Sequence, residues 1–199
     1  MRKTLFVACL LALSPAAPVG ALAQAAPSPQ SPSTAALAPA ARPIRAFYDV
    51  LLDTMKQART LGVAGRYKKL EAAIDRAFDF PAMTQLMVGL AWTGMSPADQ
   101  QRLINGVRRM TIAGYAQNFD DFGGETFVVS PAVQERDGDQ LVSTRLTVPG
   151  KEDVPFVYRM SNKGGTWKIV DIFLDGYISQ VAFRRSDFSS TLRSGGPAS

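Results

Sequence analysis

Three sets of side chains in this chain are of types that serve catalysis or binding. Asp171 lies among apolar residues in the run Trp167-Lys168-Ile169-Val170-Asp171-Ile172-Phe173-Leu174. A carboxylate in that setting is either a buried acid whose raised pKa suits it to act as a base, or a structural acid paired with an arginine such as Arg145 or Arg159. With no histidine or metal cluster beside it, the structural reading is the simpler one. The second set is Asp75, Asp79, Asp120, Asp121 and Glu125. They lack the regular acid spacing of a calcium loop, so no metal site is expected. The third set is the basic pairs Arg108-Arg109 and Arg184-Arg185. Each reads either as a solvated helix face or as a bidentate contact to a phosphate. Gly123-Gly124 and Gly164-Gly165 match no phosphate-binding loop and read as turns.

What is missing narrows the chemistry further. The chain has no histidine and one cysteine, Cys9. Arg2 and Lys3, the apolar run Leu5 to Leu13 and the Ala21-Leu22-Ala23 site form a secretory signal peptide over residues 1–23, so Cys9 is removed with it. A lipoprotein signal cut before Cys9 fits less well, because the apolar run ahead of Cys9 is only about five residues, against roughly 7–15 for an h-region. The mature chain, starting at Gln24, can form no disulfide, no thiolate nucleophile, no Ser-His-Asp set and no Cys- or His-ligated zinc site. No cofactor is expected. An exported chain without these groups is read as a binder rather than an enzyme. Removing Arg2 and Lys3 takes the formal charge from +5 to +3. That balance suits contact with anionic lipid headgroups and is far from the dense clusters that mark nucleic-acid binding. No second apolar run is long enough to span a membrane.

The elements that would position these groups follow from periodicity. Residues 24–42 are rich in Ala, Pro, Ser and Gln with no hydrophobic period, and read as a flexible leader. The folded domain is read as residues 43–193, with 194–199 a disordered tail. Pro43 opens a helix carrying Ile44, Phe47, Tyr48, Leu51, Met55 and Ala58 on one face. Gly62 and Gly65 break it, and a second helix carries Leu70, Ile74, Ala77 and Phe78. Asp79 is the expected N-cap of a third, deeply buried helix through Met83 and Met87. Gly89 to Gly94 is a connection carrying Trp92. Ser96-Pro97-Ala98-Asp99 starts a long helix through Leu103, Val107, Met110 and Tyr115 to about Phe119.

The period then switches to two. Thr126 to Ser130 reads as a strand stopped by Pro131, and Arg136-Asp137-Gly138-Asp139 as a hairpin turn. Leu141–Val148 and Val154–Ser161 alternate as strands, the second with Phe156, Tyr158 and Met160 on one face. Thr166 to Asp175 is a strand apolar on both sides except for Lys168 and Asp171, so both of its faces need cover. It is expected to pass through Asp175-Gly176 straight into a last helix bearing Ile178, Val181, Ala182, Arg185, Phe188 and Leu192. Helices, then an antiparallel meander, then a helix make an α+β fold of about four strands and about six helices.

Methionines and aromatics are plentiful for a domain of this size. A filled core uses such residues, and so does a core that must admit flexible acyl chains. Several segments, in order, carry a resemblance. They are Phe78-Asp79-Phe80-Pro81-Ala82-Met83, the Ser96-Pro97 helix ending in Tyr115-Ala116, Thr144-Arg145-Leu146, Val157-Tyr158-Arg159-Met160, Trp167-Lys168-Ile169-Val170-Asp171-Ile172 and Arg185-Ser186-Asp187-Phe188. Together they resemble the MlaC-type, or toluene-tolerance, family of periplasmic phospholipid-binding proteins. Gly89-Leu90-Ala91-Trp92-Thr93 and Leu174-Asp175-Gly176-Tyr177-Ile178-Ser179-Gln180 look closer to its hopanoid-associated HpnM branch.

The resemblance implies a twisted antiparallel sheet wrapped by helices, related to the NTF2-like architecture, with an internal apolar cavity for lipid tails. It implies a periplasmic shuttle for phospholipid or hopanoid between inner and outer membranes. Its partners would be an MCE-type inner-membrane ABC transporter component and an outer-membrane lipoprotein complex. The expected tail contacts are Phe80, Met83, Met87, Trp92, Met110, Phe119, Leu146, Phe156, Tyr158, Val170, Ile172, Leu174 and Ile178, with Arg145 and Arg185 at the headgroup. On the last strand, either Val170, Ile172 and Leu174 or Ile169 and Phe173 would face the tails. Two rivals stay open. A small NTF2-like enzyme would bring Asp171 and Tyr158 together in one cavity, and a plain interaction module would have a filled core.

Overall fold

The computed structural model of the chain describes residues 36–186. The signal peptide, most of the leader, the 194–199 tail, and Phe188 and Leu192 of the last helix lie outside the described residues. A 3₁₀ turn, Pro39–Ala41, precedes α1 (Arg42–Lys56), and Ala40 and Ala41 are completely buried. Their small side chains let the chain pass close to the sheet, which a polar leader could not do without stranding backbone groups.

Helix α1 buries Ile44, Phe47, Tyr48, Leu51, Thr54 and Met55, the stripe expected of an amphipathic helix. Helix α2 (Ala58–Ala77) contains the break expected at Gly62, with φ 58° and ψ 179°, a conformation favourable only to glycine. Gly65 causes no break. Arg66 is buried nearby, and its guanidinium donates to the carbonyls of Ala116 at 2.7 Å and Ala58 at 2.8 Å. The Asp79 carboxylate accepts from the Ala82 N–H at 3.0 Å and caps α3 (Phe80–Val88), with Pro81 in the first turn. A 3₁₀ segment, Gly89–Gly94, leads to Ser96, which caps α4 (Pro97–Asn118) through the Asp99 N–H.

The sheet is a five-stranded antiparallel meander in the order β1 (Thr126–Arg136), β2 (Asp139–Thr147), β3 (Val154–Ser161), β4 (Lys168–Leu174) and β5 (Ile178–Ser179). Three expectations need correction. First, β1 does not stop at Pro131. Ser130, Pro131 and Ala132 bulge opposite Ser143, and pairing resumes at Val133↔Val142. Proline is tolerated there because β1 is an edge strand and a bulge needs no ladder donor. Second, Asp175-Gly176 closes a hairpin rather than leading straight into a helix. Asp175 (φ 52°) and Gly176 (φ 79°) turn the chain back, Leu174 pairs with Ile178, and the helix starts only at residue 180. Residues 180–186 form α5. Third, β4 carries one extra residue. Its register with β3 shifts from Arg159↔Asp171 to Met160↔Ile169, leaving Val170 unpaired. The bulge puts Ile169 on the same face as Ile172 and Leu174, against both alternations drawn from a regular strand.

The helices lie on one face of the sheet. Phe78 bridges to Ile169 and the Asp79 N–H donates to the Ile169 carbonyl at 2.9 Å, which ties the α2–α3 junction to β4. The core combines this sheet face (Phe127, Val129, Val142, Tyr158, Met160, Ile169) with helix residues such as Phe47, Leu70, Ile74 and Ile112. No helix among the described residues is long and apolar enough to cross a membrane.

Candidate functional site

Between the sheet and α3–α4 the core does not close. A cavity of about 360 Å³ opens there, near the lower end of the roughly 300–1,000 Å³ usual for ligand sites. Tyr158 and Phe156 of β3 and Ile172 and Leu174 of β4 form the sheet wall. They share one face because the register pairs Phe156 with Leu174 and Tyr158 with Ile172. Opposite them stand Met83 and Met87 of α3. From α4 come Met110, Thr111, Gly114, Tyr115, Asn118 and Phe119, residues recurring at helical spacing along one stripe. Leu51, Phe78 and Phe127 complete the apolar lining. At the mouth the lining turns polar, with Gln180 and Arg184 of α5.

Polar groups along the cavity wall satisfy one another. Tyr48 and Thr144 share a 2.8 Å hydrogen bond, and the Tyr48 hydroxyl donates to that of Tyr158, also at 2.8 Å. Burial pushes the Tyr48 pKa up to about 12. Burial likewise raises Tyr115 and Tyr158, the latter further because Tyr115 and Tyr48 stand beside it. All three phenols are neutral at physiological pH. None is a proton donor or base poised for catalysis, since a useful general base titrates near the working pH.

Asp171 is a structural acid, but its partners are not the arginines suggested for it. It is buried and paired with no arginine: Arg159 binds Asp139 at 2.6 Å and Arg145 binds Asp153 at 3.3 Å. Its carboxylate accepts instead from the Ser179 hydroxyl at 2.6 Å, the Ile172 N–H at 2.8 Å and the Val181 N–H at 3.1 Å. These bonds fasten the β4–β5 hairpin and the first turn of α5. Asp171 pairs in register with Arg159 and Tyr158 with Ile172, so the two side chains occupy opposite faces of the sheet. The convergence that the enzyme reading requires does not occur.

Of Asp75, Asp79, Asp120, Asp121 and Glu125, all but the exposed Asp120 have partners among the described residues. Arg108 holds Asp75 through two 2.7 Å contacts and Glu71 through a third, Asp79 caps α3, Asp121 meets Arg59, and Glu125 accepts from the Gly123 N–H. Among the described residues, no group of three acids, cysteines or histidines could hold a metal ion.

Of the expected tail contacts, the wall contains Met83, Met87, Met110, Phe119, Phe156, Tyr158, Ile172 and Leu174. Phe80 stacks on Phe78 in the core, and Leu146 packs against the core opposite Phe127. Val170 is the bulge residue, Ile178 is on the exposed hairpin, and Trp92 is half-buried in the 3₁₀ segment. Neither expected headgroup arginine lines the cavity. Arg145 is on the sheet's other face, and the Arg185 guanidinium packs against Gly89, so close that a Cβ there would lie 2.8 Å from it. Arg184 takes the position at the mouth. Among the wall residues not expected as contacts, the α4 stripe Thr111-Gly114-Tyr115-Asn118 had a legible signal. Small and polar residues at i, i+3, i+4 and i+7 are a poor filling for a closed core.

The site is thus an apolar cavity in an α+β domain, with Gln180 and Arg184 in its lining. Residues 45–199 match the family model described as MlaC protein, and the chain belongs to the MlaC family, which is non-enzymatic. The fold is similar to the solved structure of a phospholipid-binding protein from Ralstonia solanacearum in complex with a phospholipid. The TM-score is 0.70 at 23% identity, over 81% of this chain and 92% of that one. No curated protein matches the sequence.

Proposed function

We propose that this protein is a periplasmic lipid carrier that shelters acyl tails in the cavity and moves phospholipid between the inner and outer membranes without covalent chemistry. The observation that carries the reading is the open apolar space between β3–β4 and α3–α4, lined by methionines and aromatics. Each tail methylene held out of water is worth about 0.8 kcal/mol, so even a partly sheltered tail offsets much of the cost of leaving a bilayer. Methionine suits this wall because it repacks around chains of varying shape. The headgroup would rest at the mouth against Arg184, a bidentate phosphate ligand, beside Gln180 and Asn118. Among the described residues Arg184 has no acidic partner competing for it.

The family membership supports the wider assignment: exchange with an MCE-type transporter component at the inner membrane and a lipoprotein complex at the outer. Within it, Gly89–Thr93 and Leu174–Gln180 support the HpnM branch and hopanoid as an alternative cargo. Donor vesicles carrying a self-quenched fluorescent phospholipid, mixed with unlabelled acceptors, test the carrier reading. Dequenching should accelerate in proportion to protein concentration. A rate equal to that without protein refutes the proposal.

A further inference from the structure

The large apolar side chains left in solvent are not scattered. Eight are exposed among the described residues, and six belong to segments whose neighbours line the cavity. Leu90 (91% exposed), Tyr177 (76%) and Phe183 (60%) protrude most, with Leu86, Met110 and Ile178 about 40% exposed. Leu86 and Leu90 flank the end of α3, Met110 is itself at the cavity, and Ile178 pairs with Leu174 of the cavity wall. The contact of Arg185 with Gly89 brings the 3₁₀ segment and α5 together. An apolar rim exposed this far is costly unless something covers it.

The rim's charge indicates what that is. Segments 86–92, 106–114 and 175–186 contain one acid, Asp175, and four arginines. Arg108 is committed to Asp75 and Glu71, which leaves Arg109, Arg184 and Arg185 around the rim. Trp92 is in the same segment as Leu90, and its indole is half-buried without lining the cavity. Protruding Leu and Phe, a Tyr and a Trp beside them, and arginines with no acidic partner among the described residues are the composition that seats in the headgroup layer of an anionic bilayer. We infer that the mouth rim docks on an anionic membrane surface, with Leu90, Tyr177 and Phe183 inserted and Arg109 and Arg185 on lipid phosphates. This rests on the carrier reading for its purpose. It would let a tail pass between bilayer and cavity with little exposure to water.

The two tryptophans, Trp92 and Trp167, make the test specific. Trp167 lines a separate groove with Arg42, Arg76 and Ala73 that shares no residue with the cavity. In the full chain carrying Trp167→Phe, fluorescence therefore reports on Trp92 alone. Vesicles of phosphatidylglycerol and brominated phosphatidylcholine should quench it, whereas vesicles of brominated phosphatidylcholine alone should quench it far less. About 1 M salt, which shortens the Debye length to roughly 3 Å, should weaken the quenching. Arg109→Gln with Arg185→Gln should lower vesicle affinity about thirtyfold, at about fivefold for each arginine near an anionic surface. Leu90→Ser with Phe183→Ser, both at exposed positions, should abolish quenching while the circular dichroism spectrum is unchanged.

Every variant shares residues 1–35, so differences among them belong to the rim. Absence of quenching, or equal quenching in all variants, overturns the inference, including the case in which the rim serves only a protein partner. Quenching that is unchanged after the vesicles are removed also overturns it, because lipid in the cavity then explains the signal. If Trp92 is quenched but the protein neither carries nor transfers lipid, the docking surface stands and the carrier reading falls. The reverse result removes the docking surface alone.

Discussion

Replacing Gly114 by leucine should raise stability and lower lipid affinity together. Gly114 is within α4, between Thr111 and Tyr115 on the cavity wall. A Cβ built there meets no heavy atom within 4 Å, so the new side chain enters the cavity rather than packed neighbours. Exchanging an interior helix glycine for leucine favours the helix by about 0.5–1 kcal/mol, worth roughly 1–4 °C in Tm for a domain of this size. The four added carbons occupy space that a tail would fill. At about 0.8 kcal/mol for each displaced methylene, the loss is about 3 kcal/mol, or roughly 150-fold in Kd. Calorimetry gives the first quantity and displacement of a fluorescent phospholipid the second. Gly106 is the control, since it also meets nothing within 4 Å but does not line the cavity. Gly106→Leu should raise Tm and leave Kd unchanged. If Gly114→Leu binds lipid as tightly as the parent chain, the tail does not occupy this cavity and the reasoning fails.

Other perturbations separate the structural polar groups from the site. Asp171→Ala removes the acceptor for Ser179 and Val181 and should cost about 1–2 kcal/mol. Hydrogen exchange should quicken in residues 176–184 and lipid Kd should change less than threefold; an enzyme using Asp171 would instead lose all turnover. Arg66→Leu strands two buried carbonyls and should cost about 2–3 kcal/mol by denaturant titration, without altering the cavity. The raised pKa of Tyr48 predicts an alkaline limit. Its contribution is fully present below the ordinary tyrosine value near 10 and is lost as pH rises through about 12. Urea midpoints should therefore be flat from pH 7 to about 9.5 and fall above it, with a smaller fall in Tyr48→Phe. A midpoint that stays flat up to pH 12 would contradict the buried-phenol assignment.

Where local chemistry decides the backbone, the sequence was legible. Asp79 and Ser96 cap as expected because a side-chain acceptor three residues ahead of a free N–H is a local matter. Asp137-Gly138 forms its hairpin because both positions need positive φ. The failures lie where a distant partner decides. The Val170 bulge is a property of the β3–β4 register, so alternation along β4 alone could not show that Ile169 joins Ile172. Pro131 reads as a strand stop from local sequence, but an edge strand with a bulge accommodates it. That Arg184 rather than Arg185 lines the cavity follows from the phase of α5, which depends on the short strand Ile178–Ser179 inserted before it. The methionine and aromatic content pointed equally to a core and to a lipid wall. Only the gap between α4 and the sheet separates these readings.

The central claim is that the cavity holds a lipid. Native mass spectrometry of the protein purified from its own cells, without detergent, tests it most directly. The account predicts a species heavier than the polypeptide by the mass of one phospholipid or hopanoid, released on denaturation and identifiable in the extract, and depleted in Gly114→Leu. A polypeptide-only mass, with no uptake after incubation with liposomes, would contradict it.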